Sequence, residues 1–452
     1  LSGAPIFIWF FVGPALQADS GYFHFSEEPK VSELLIFVIM VGVFAAVSFA
    51  LKWPVSVSML LAAVAGALAG GKGLPVRHLV EGSFGYVDTI LTISTAMIFM
   101  NAFKESGGLE SLSTAVIRRF HKIPALLVIL LMLVAMFPGM ITGSSSAAVL
   151  TAGAVVAPIL SLMGIPGSQT AAFIAMAGIL GMIAPPVNVP AMIIGGGIDM
   201  PYVGFEIPLL LLTMPLAVVS ALWFGYRYVK KTDMKKVLAS LDSSVLDRYG
   251  AFRLFSPVLL VLVLMVADRV FPKYSNLGMP LIFTLGALLA FFTGKRFNVL
   301  TAAKQAVDQA LPVLGILVGV GMFIQIMTLT GVRGFIVVNA LSVPPALLYL
   351  AIAVSIPLFG AVSAFGSASV LGVPFLLALL QQDQIITAAA LSLVCSLGDF
   401  MPPTALSAIF AAQVVGLKGY GSTLKKLIIP SLVIIAWALL FIIFSKQIRG
   451  ML

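Results

Sequence analysis

Two serine-bearing interruptions stand inside otherwise apolar sequence. The first is Pro138-Gly139-Met140-Ile141-Thr142-Gly143-Ser144-Ser145-Ser146-Ala147, and the second is Ser363-Ala364-Phe365-Gly366-Ser367-Ala368-Ser369. Each is followed by a proline pair, in Ala184-Pro185-Pro186-Val187-Asn188 and in Gly398-Asp399-Phe400-Met401-Pro402-Pro403-Thr404. Proline lacks an N–H, so a pair leaves upstream carbonyls free. Carbonyls from Gly181 to Ala184, the hydroxyls of Ser144 and Ser145, and the amide oxygen of Asn188 are hard oxygen ligands suited to an alkali cation. A second set holds Ser367, Ser369, the carbonyls of Gly398 to Met401, and Thr404. Ser146 is placed to cap the run Ala147 to Leu162, which would leave a positive helix end among hydroxyls. A small anion would then sit between the two tips, near Ser145, Ser146, Asn188, Ser367 and Thr404. The plainer reading of each Gly/Ser patch is close helix packing.

Asp399 stands between Gly398 and the second proline pair. A carboxylate within a membrane span is costly and functional by default. Three roles are open: a cation ligand, a proton carrier, or a cap for the helix after the break. Asn101 and Gln325, also polar within apolar runs, have interhelical hydrogen bonding as their plain role.

These motifs must be held by membrane-spanning helices. The 452-residue chain is 60% hydrophobic and only 10% charged, and apolar runs of about 18 residues or more recur along it. The fold class is an all-α polytopic membrane protein. Its formal charge of +9 lies in short loops and does not indicate nucleic acid. A single cysteine, Cys395, excludes an internal disulfide, and three scattered histidines lack metal-ligand spacing. There is no HExxH, paired Asp or Ser–His motif of an intramembrane hydrolase, so no enzyme is expected. A channel would need a continuous polar stripe rather than paired breaks.

Residues 1–30 form an N-terminal segment of open role, either part of an extra helix or the remnant of a signal segment. Spans are expected at Leu34 to Ala50, Val55 to Ala69 and Tyr86 to Phe103, with a glycine-rich loop carrying Lys72, Arg77 and Glu81 before the third. An interfacial arm follows at Leu109 to Phe120. A hairpin at about 124–163, a broken helix at about 168–200 and a span at Ile207 to Tyr228 complete residues 31–229. A polar linker, 230–253, separates this half from 254–452. There, spans at Pro257 to Val270, Met279 to Phe292 and Leu311 to Met327 precede an arm after Gly331. A hairpin at about 344–381, a broken helix at about 385–417 and a last span, Leu427 to Phe444, follow.

The halves share a register. Thr170-Ala171-Ala172, Leu180-Gly181 and Pro185-Pro186 fall on Thr387-Ala388-Ala389, Leu397-Gly398 and Pro402-Pro403 at one offset of 217. Val149-Leu150 and Ala125-Leu126-Leu127 fall on Val370-Leu371 and Ala346-Leu347-Leu348 at 221. With the linker placed in the cytoplasm, most of the 26 Lys and Arg residues lie on that side. About five crossings per half then makes the two repeats inverted, an arrangement of secondary transporters. The serine motifs are either full spans with a loop or re-entrant hairpins. An uncharged Gly-Ser tip favours the hairpin.

Thr142-Gly143-Ser144-Ser145-Ser146-Ala147 and Leu180-Gly181-Met182-Ile183-Ala184-Pro185-Pro186 resemble the large membrane subunit of tripartite ATP-independent periplasmic transporters. Lys52-Trp53-Pro54-Val55 and Phe103-Lys104-Glu105-Ser106-Gly107-Gly108-Leu109 fit weaker patterns of that family. The likeness runs from about Glu33 to Phe444 and extends to the wider superfamily of divalent-anion/sodium symporters. Pro185-Pro186-Val187-Asn188 is closer to the symporters' Pro-Pro-Asn, and Asp399 departs from the subunit's pattern. The resemblance implies an elevator-type importer of organic anions, such as a C4-dicarboxylate or a sugar acid, coupled to Na+ in a bacterial inner membrane. It also implies two partners, a small membrane subunit and a periplasmic substrate-binding protein. A stand-alone symporter or antiporter without a binding protein is the alternative.

Overall fold

The computed structural model describes residues 32–241, 243–271, 277–340, 343–402 and 404–452. The expectation for residues 1–30 lies outside them. Among the described residues the elements are helices, with no strand.

The first half begins with α1 (Glu33–Ala50), capped by Ser32, whose hydroxyl accepts from the Leu35 N–H. Then come α2 (Val55–Ala69), α3 (Val76–Ser83), α4 (Val87–Glu105) and α5 (Gly108–Phe120). Of the glycine-rich loop expected before the third span, residues 70–75 with Lys72 are non-helical, but the part carrying Arg77 and Glu81 is α3. Arg77 and Glu81 stand one helical turn apart there and pair at 2.7 Å. The axis bends by 41° between α3 and α4. Gly107, in the left-handed conformation at φ 82°, turns the chain into α5.

The hairpin arms are α6 (Pro124–Thr142) and α7 (Ser145–Leu162). Pro124 starts α6 where a missing N–H costs nothing. The broken helix is α8 (Gly167–Ile183) and α9 (Val189–Gly196), and α10 (Glu206–Val229) closes the half. Within the linker lie the short α11 (Met234–Ala239) and α12 (Ser244–Tyr249).

The second half contains α13 (Ala251–Val270), α14 (Gly278–Thr293), α15 (Val299–Leu329) and α16 (Val332–Ala340). Helix α13 starts before Pro257, and α15 runs through Pro312 as one 31-residue helix where the first half is bent at α3–α4. Both starts lie further upstream than hydropathy suggests, because the first turns carry polar residues. Next come α17 (Pro345–Gly360), α18 (Ala364–Ala378), α19 (Gln384–Phe400), α20 (Leu406–Val415), α21 (Gly421–Ile443) and α22 (Ser445–Met451). Seven helices, or eight counting the bent α3–α4 pair, are long and apolar enough to cross a membrane among the described residues.

The helices pack in two groups. Helix α15 lies against α2, α3 and α4, with α14 on α4 and α13 on α14. The other group is α6 to α10 with α17 to α21. Glycines allow the closest crossing in the first group, where a Cβ on Gly321 would overlap the Gly82 carbonyl. Aromatic side chains fill the seam between the groups. Phe44 stacks on Phe359 at 5.3 Å, and Phe103 meets Phe137 edge-on at 5.8 Å. Tyr86, at the α3–α4 bend, donates to the Ile193 carbonyl of α9 at 2.8 Å. Asn101 donates to the Ala302 carbonyl at 2.7 Å, so it serves helix packing.

Candidate functional site

The first hairpin turns on Gly143 and Ser144. Gly143 is left-handed, at φ 63°, and ends α6. The chain leaves it extended, so Ser144 is the first residue able to cap. Its hydroxyl accepts from the Ala147 N–H at 3.3 Å. The cap is therefore Ser144 and not Ser146, which lies inside the first turn of α7, half-buried. The second tip repeats the device. Ser363 is extended, and its hydroxyl accepts from the Gly366 N–H at 3.2 Å. Each helix then widens into one π-type turn, at Val149–Gly153 and Ala368–Gly372. Caps and turns correspond at an offset of 219 (363 less 144), not at the 221 of the Val-Leu dipeptides.

Each tip touches the break of its own half. The Val187 N–H donates to the Met140 carbonyl at 3.1 Å, and a Cβ on Gly143 would press on Val187 and Val189. In the second half, the Thr404 hydroxyl donates to the Ala361 carbonyl at 2.6 Å. A glycine crossing sets the spacing in both. A Cβ on Gly181 would lie 2.5 Å from the Met136 carbonyl oxygen, and one on Gly139 would lie 2.9 Å from the Gly181 backbone. A Cβ on Gly398 would overlap the Gly360 carbonyl. Gly181 and Gly398 thus hold the breaks against the tips through their lack of a side chain.

The halves are also tied across. The Ser145 hydroxyl, 3% exposed, donates to Oδ2 of Asp399, 6% exposed. The sequence groups Ser145 with Ser144 and Gly181, but its hydroxyl is turned to the other half. Asp399 does not cap α20. The residue at that position is Ala405, which forms no side-chain cap bond. Asn188 is fully buried and donates at 2.9 Å both to the Ile183 carbonyl and to the Ser392 hydroxyl of α19. Its amide oxygen caps α9, accepting from the Ala191 N–H at 2.9 Å. One lone pair of that oxygen is left. Ser407 completes the interlock, donating to the Ala175 carbonyl at 3.1 Å.

The other expected residues are placed as follows. Ser367 and Ser369 are fully buried, and their hydroxyls donate back to Ala364 and Gly366 carbonyls at 2.9 and 3.2 Å. Ala184 is buried at the end of α8, and Met401 is half-buried. The Met401 N–H donates to the Gly398 carbonyl at 2.9 Å, and the Met401 carbonyl accepts from Ala405. Pro403 lies outside the described residues. Sequence reasoning missed Ser392 and Ser407. Each is a serine in an apolar helix, and only the tertiary crossing shows its partner. It passed over Ser363, whose repeat relation to Ser144 was the available signal.

Paired helix breaks facing paired capped tips, within a bundle of membrane-length helices, make this a polytopic membrane protein with irregular backbone at its centre. The family model described as "Tripartite ATP-independent periplasmic transporter, DctM component" matches residues 41–448. The chain belongs to that family and is a TRAP-type secondary transporter. Its fold is similar to that of the YdaH transporter of Alcanivorax borkumensis, with a TM-score of 0.59 at 17% identity. That match covers 82% of this chain and 87% of the other. It is also similar to MtrF of Neisseria gonorrhoeae, with a TM-score of 0.56 at 13% identity over 97% and 93% of the two chains. MtrF is described as illuminating a class of antimetabolite efflux pumps. No curated protein matches the chain.

Proposed function

We propose that the chain imports a small organic anion, a carboxylate such as a C4-dicarboxylate or a sugar acid, by symport with Na+. Ser145 beside Asp399 is the observation that carries this reading. An ionised carboxylate inside a span is expensive unless paired, and among the described residues no Lys or Arg pairs with it. Among the described residues, the hydroxyl of Ser145 donates to it. A cation suits that donor set. The tips and breaks carry no basic side chain, so charge compensation for a bound anion falls to cations and helix ends. Occupancy of one then favours the other, which is the basis of coupling.

Residues that would hold Na+ are Ser144, Ser145, Asn188 and the carbonyls of Gly181 and Ala184 in one half. In the other they are Ser367, Ser369, Asp399 and the carbonyls of Gly398 and Met401. Ser145, Ser146, Asn188, Ser367 and Thr404 would face the anion.

The hairpins are re-entrant in this reading. Helix α7 leaves the tip for about 27 Å and α8 returns about 25 Å, at 1.5 Å per residue. This agrees with the contact of tip and break, and α9 continues about 12 Å beyond. A tip that stops short of the far face suits a site reached from alternate sides. The two halves act as inverted repeats, and the group α6–α10 with α17–α21 slides as an elevator against the group built on α15. A small membrane subunit and a periplasmic binding protein complete the importer in a bacterial inner membrane.

Counterflow in proteoliposomes tests the carrier reading. Vesicles loaded with an unlabelled C4-dicarboxylate or sugar acid should take up the labelled compound transiently above equilibrium when Na+ and both partners are present. A labelled compound that only equilibrates, with no overshoot, indicates a channel.

A further inference from the structure

We propose that the turn joining α12 to α13 binds the phosphate of an anionic phospholipid. Two guanidinium groups converge there on one ring. The Arg248 guanidinium carbon lies 5.4 Å from the Tyr249 ring centroid, and that of Arg253 lies 5.7 Å from the same centroid. Both arginines are exposed. Gly250, at φ 76°, makes the turn that brings them to one place.

Two like charges beside one ring leave a local excess of positive charge. The acid next in sequence does not relieve it. Asp247 is held by Arg118, with Nη1 at 2.7 Å from Oδ1, and by the Ser243 hydroxyl. Arg253 is further fixed by donating to the Phe292 carbonyl at 2.9 Å. That bond aims one edge of the guanidinium at the end of α14 and leaves the rest to an anion. A planar guanidinium takes a phosphate through two parallel hydrogen bonds.

The surroundings point to a lipid as the source of the phosphate. Phe252 is 80% exposed and Phe292 is 73% exposed, flanking the arginines. Tyr249, between them, is of the ring type that gathers at the headgroup boundary. Below them, Leu259, Leu262, Val263 and Val266 of α13 are exposed, which gives acyl chains an apolar face. The site lies at the Lys/Arg-rich linker, the side where anionic headgroups and basic residues meet.

The test is thermal unfolding of the delipidated full chain in a neutral detergent. Phosphatidylglycerol, phosphatidylcholine of the same chain length and inorganic phosphate are titrated separately. Phosphatidylglycerol should raise the midpoint by several degrees, and the other two should raise it by less than half as much. R248Q/R253Q should lose at least half of the phosphatidylglycerol shift. R248Q alone, which leaves the Phe292 bond intact, should lose a measurable part. K235Q/K236Q, which removes equal charge from α11, should keep the shift. Equal shifts with phosphatidylcholine overturn the proposal, as does equal loss in the α11 variant. A full shift with inorganic phosphate alone overturns the lipid assignment.

Discussion

Ser145 at the tip of the first hairpin donates its hydroxyl proton to the carboxylate of Asp399 at the break of the second half. The bond joins residues 254 positions apart. It ties one half's tip to the other half's break, where neither has a charged neighbour in its own motif. The corresponding place in the first break is Met182, which is buried and apolar. The two breaks therefore differ in charge, and also in their caps: Asn188 caps α9, whereas Ala405 before α20 is left-handed and forms no side-chain cap bond.

Removing the hydroxyl should be costlier than removing the charge. S145A leaves a buried carboxylate without its donor, a loss of roughly 1–3 kcal/mol, seen as a lower unfolding midpoint in detergent. D399N keeps an acceptor for Ser145 and should retain most of that stability. Its uptake should lose dependence on Na+ concentration. A D399N protein with an unchanged Na+ profile removes Asp399 from the cation site.

The glycine crossings predict a steric hierarchy. G398A and G181A place a methyl group against backbone of α17 and α6, which cannot move as a side chain can. Both should lower the yield of folded protein and abolish transport. G334A in α16 meets nothing within 4 Å and should be neutral or stabilising by about 0.5–1 kcal/mol. Size-exclusion profiles of the three variants check the order.

Asn188 combines a cap with a bond between halves. N188A loses the cap of α9, about 0.5–2 kcal/mol, and leaves Ser392 without its donor. N188D keeps the cap oxygen but cannot donate to Ile183 and Ser392, so it should fall nearer to N188A than to wild type. Unfolding midpoints of N188A, N188D and S392A place each bond. Equal stability of N188D and wild type would contradict the donor role.

The linker should respond to pH and salt. A hydrogen bond from Arg118, with a further one from Ser243, holds the Asp247 carboxyl below its ordinary range. A carboxyl lowered in the folded state stabilises above its unfolded value, and that contribution is lost as pH falls through the folded value. Protease resistance of residues 230–253 should therefore hold at neutral pH and decline below the ordinary carboxylate range. D247N should remove the pH response. High salt should weaken the clamp, since both partners are exposed.

Much of this fold can be read from the chain because hydropathy and proline report directly on spans and breaks. The span Val55 to Ala69 falls on the bounds of α2, and Pro124 and Pro345 open helices as their fixed φ requires. Helix α3 is hidden because its eight residues mix Arg77, His78 and Glu81 with Val76, Leu79 and Val80 and follow a glycine-rich stretch, so they look like a loop. The start of α15 is hidden because Lys304, Gln305 and Asp308 break the apolar run. Within the site, residue types were legible but partners were not. The sequence groups Ser145 with its neighbours, whereas its hydroxyl finds a carboxylate in the other half. The sequence points to Ser146 as the cap because nothing in the letters shows that Gly143 turns left-handed and brings Ser144 to the helix start.

The most direct test of symport is uptake against a gradient. Proteoliposomes holding the chain with its two partners are given equal labelled anion on both sides and an inward Na+ gradient. Symport predicts accumulation inside that collapses when Na+ is equalised, and S145A or D399N should reduce it at least tenfold. Accumulation that is the same without a Na+ gradient would contradict coupling through these residues, as would strictly passive equilibration.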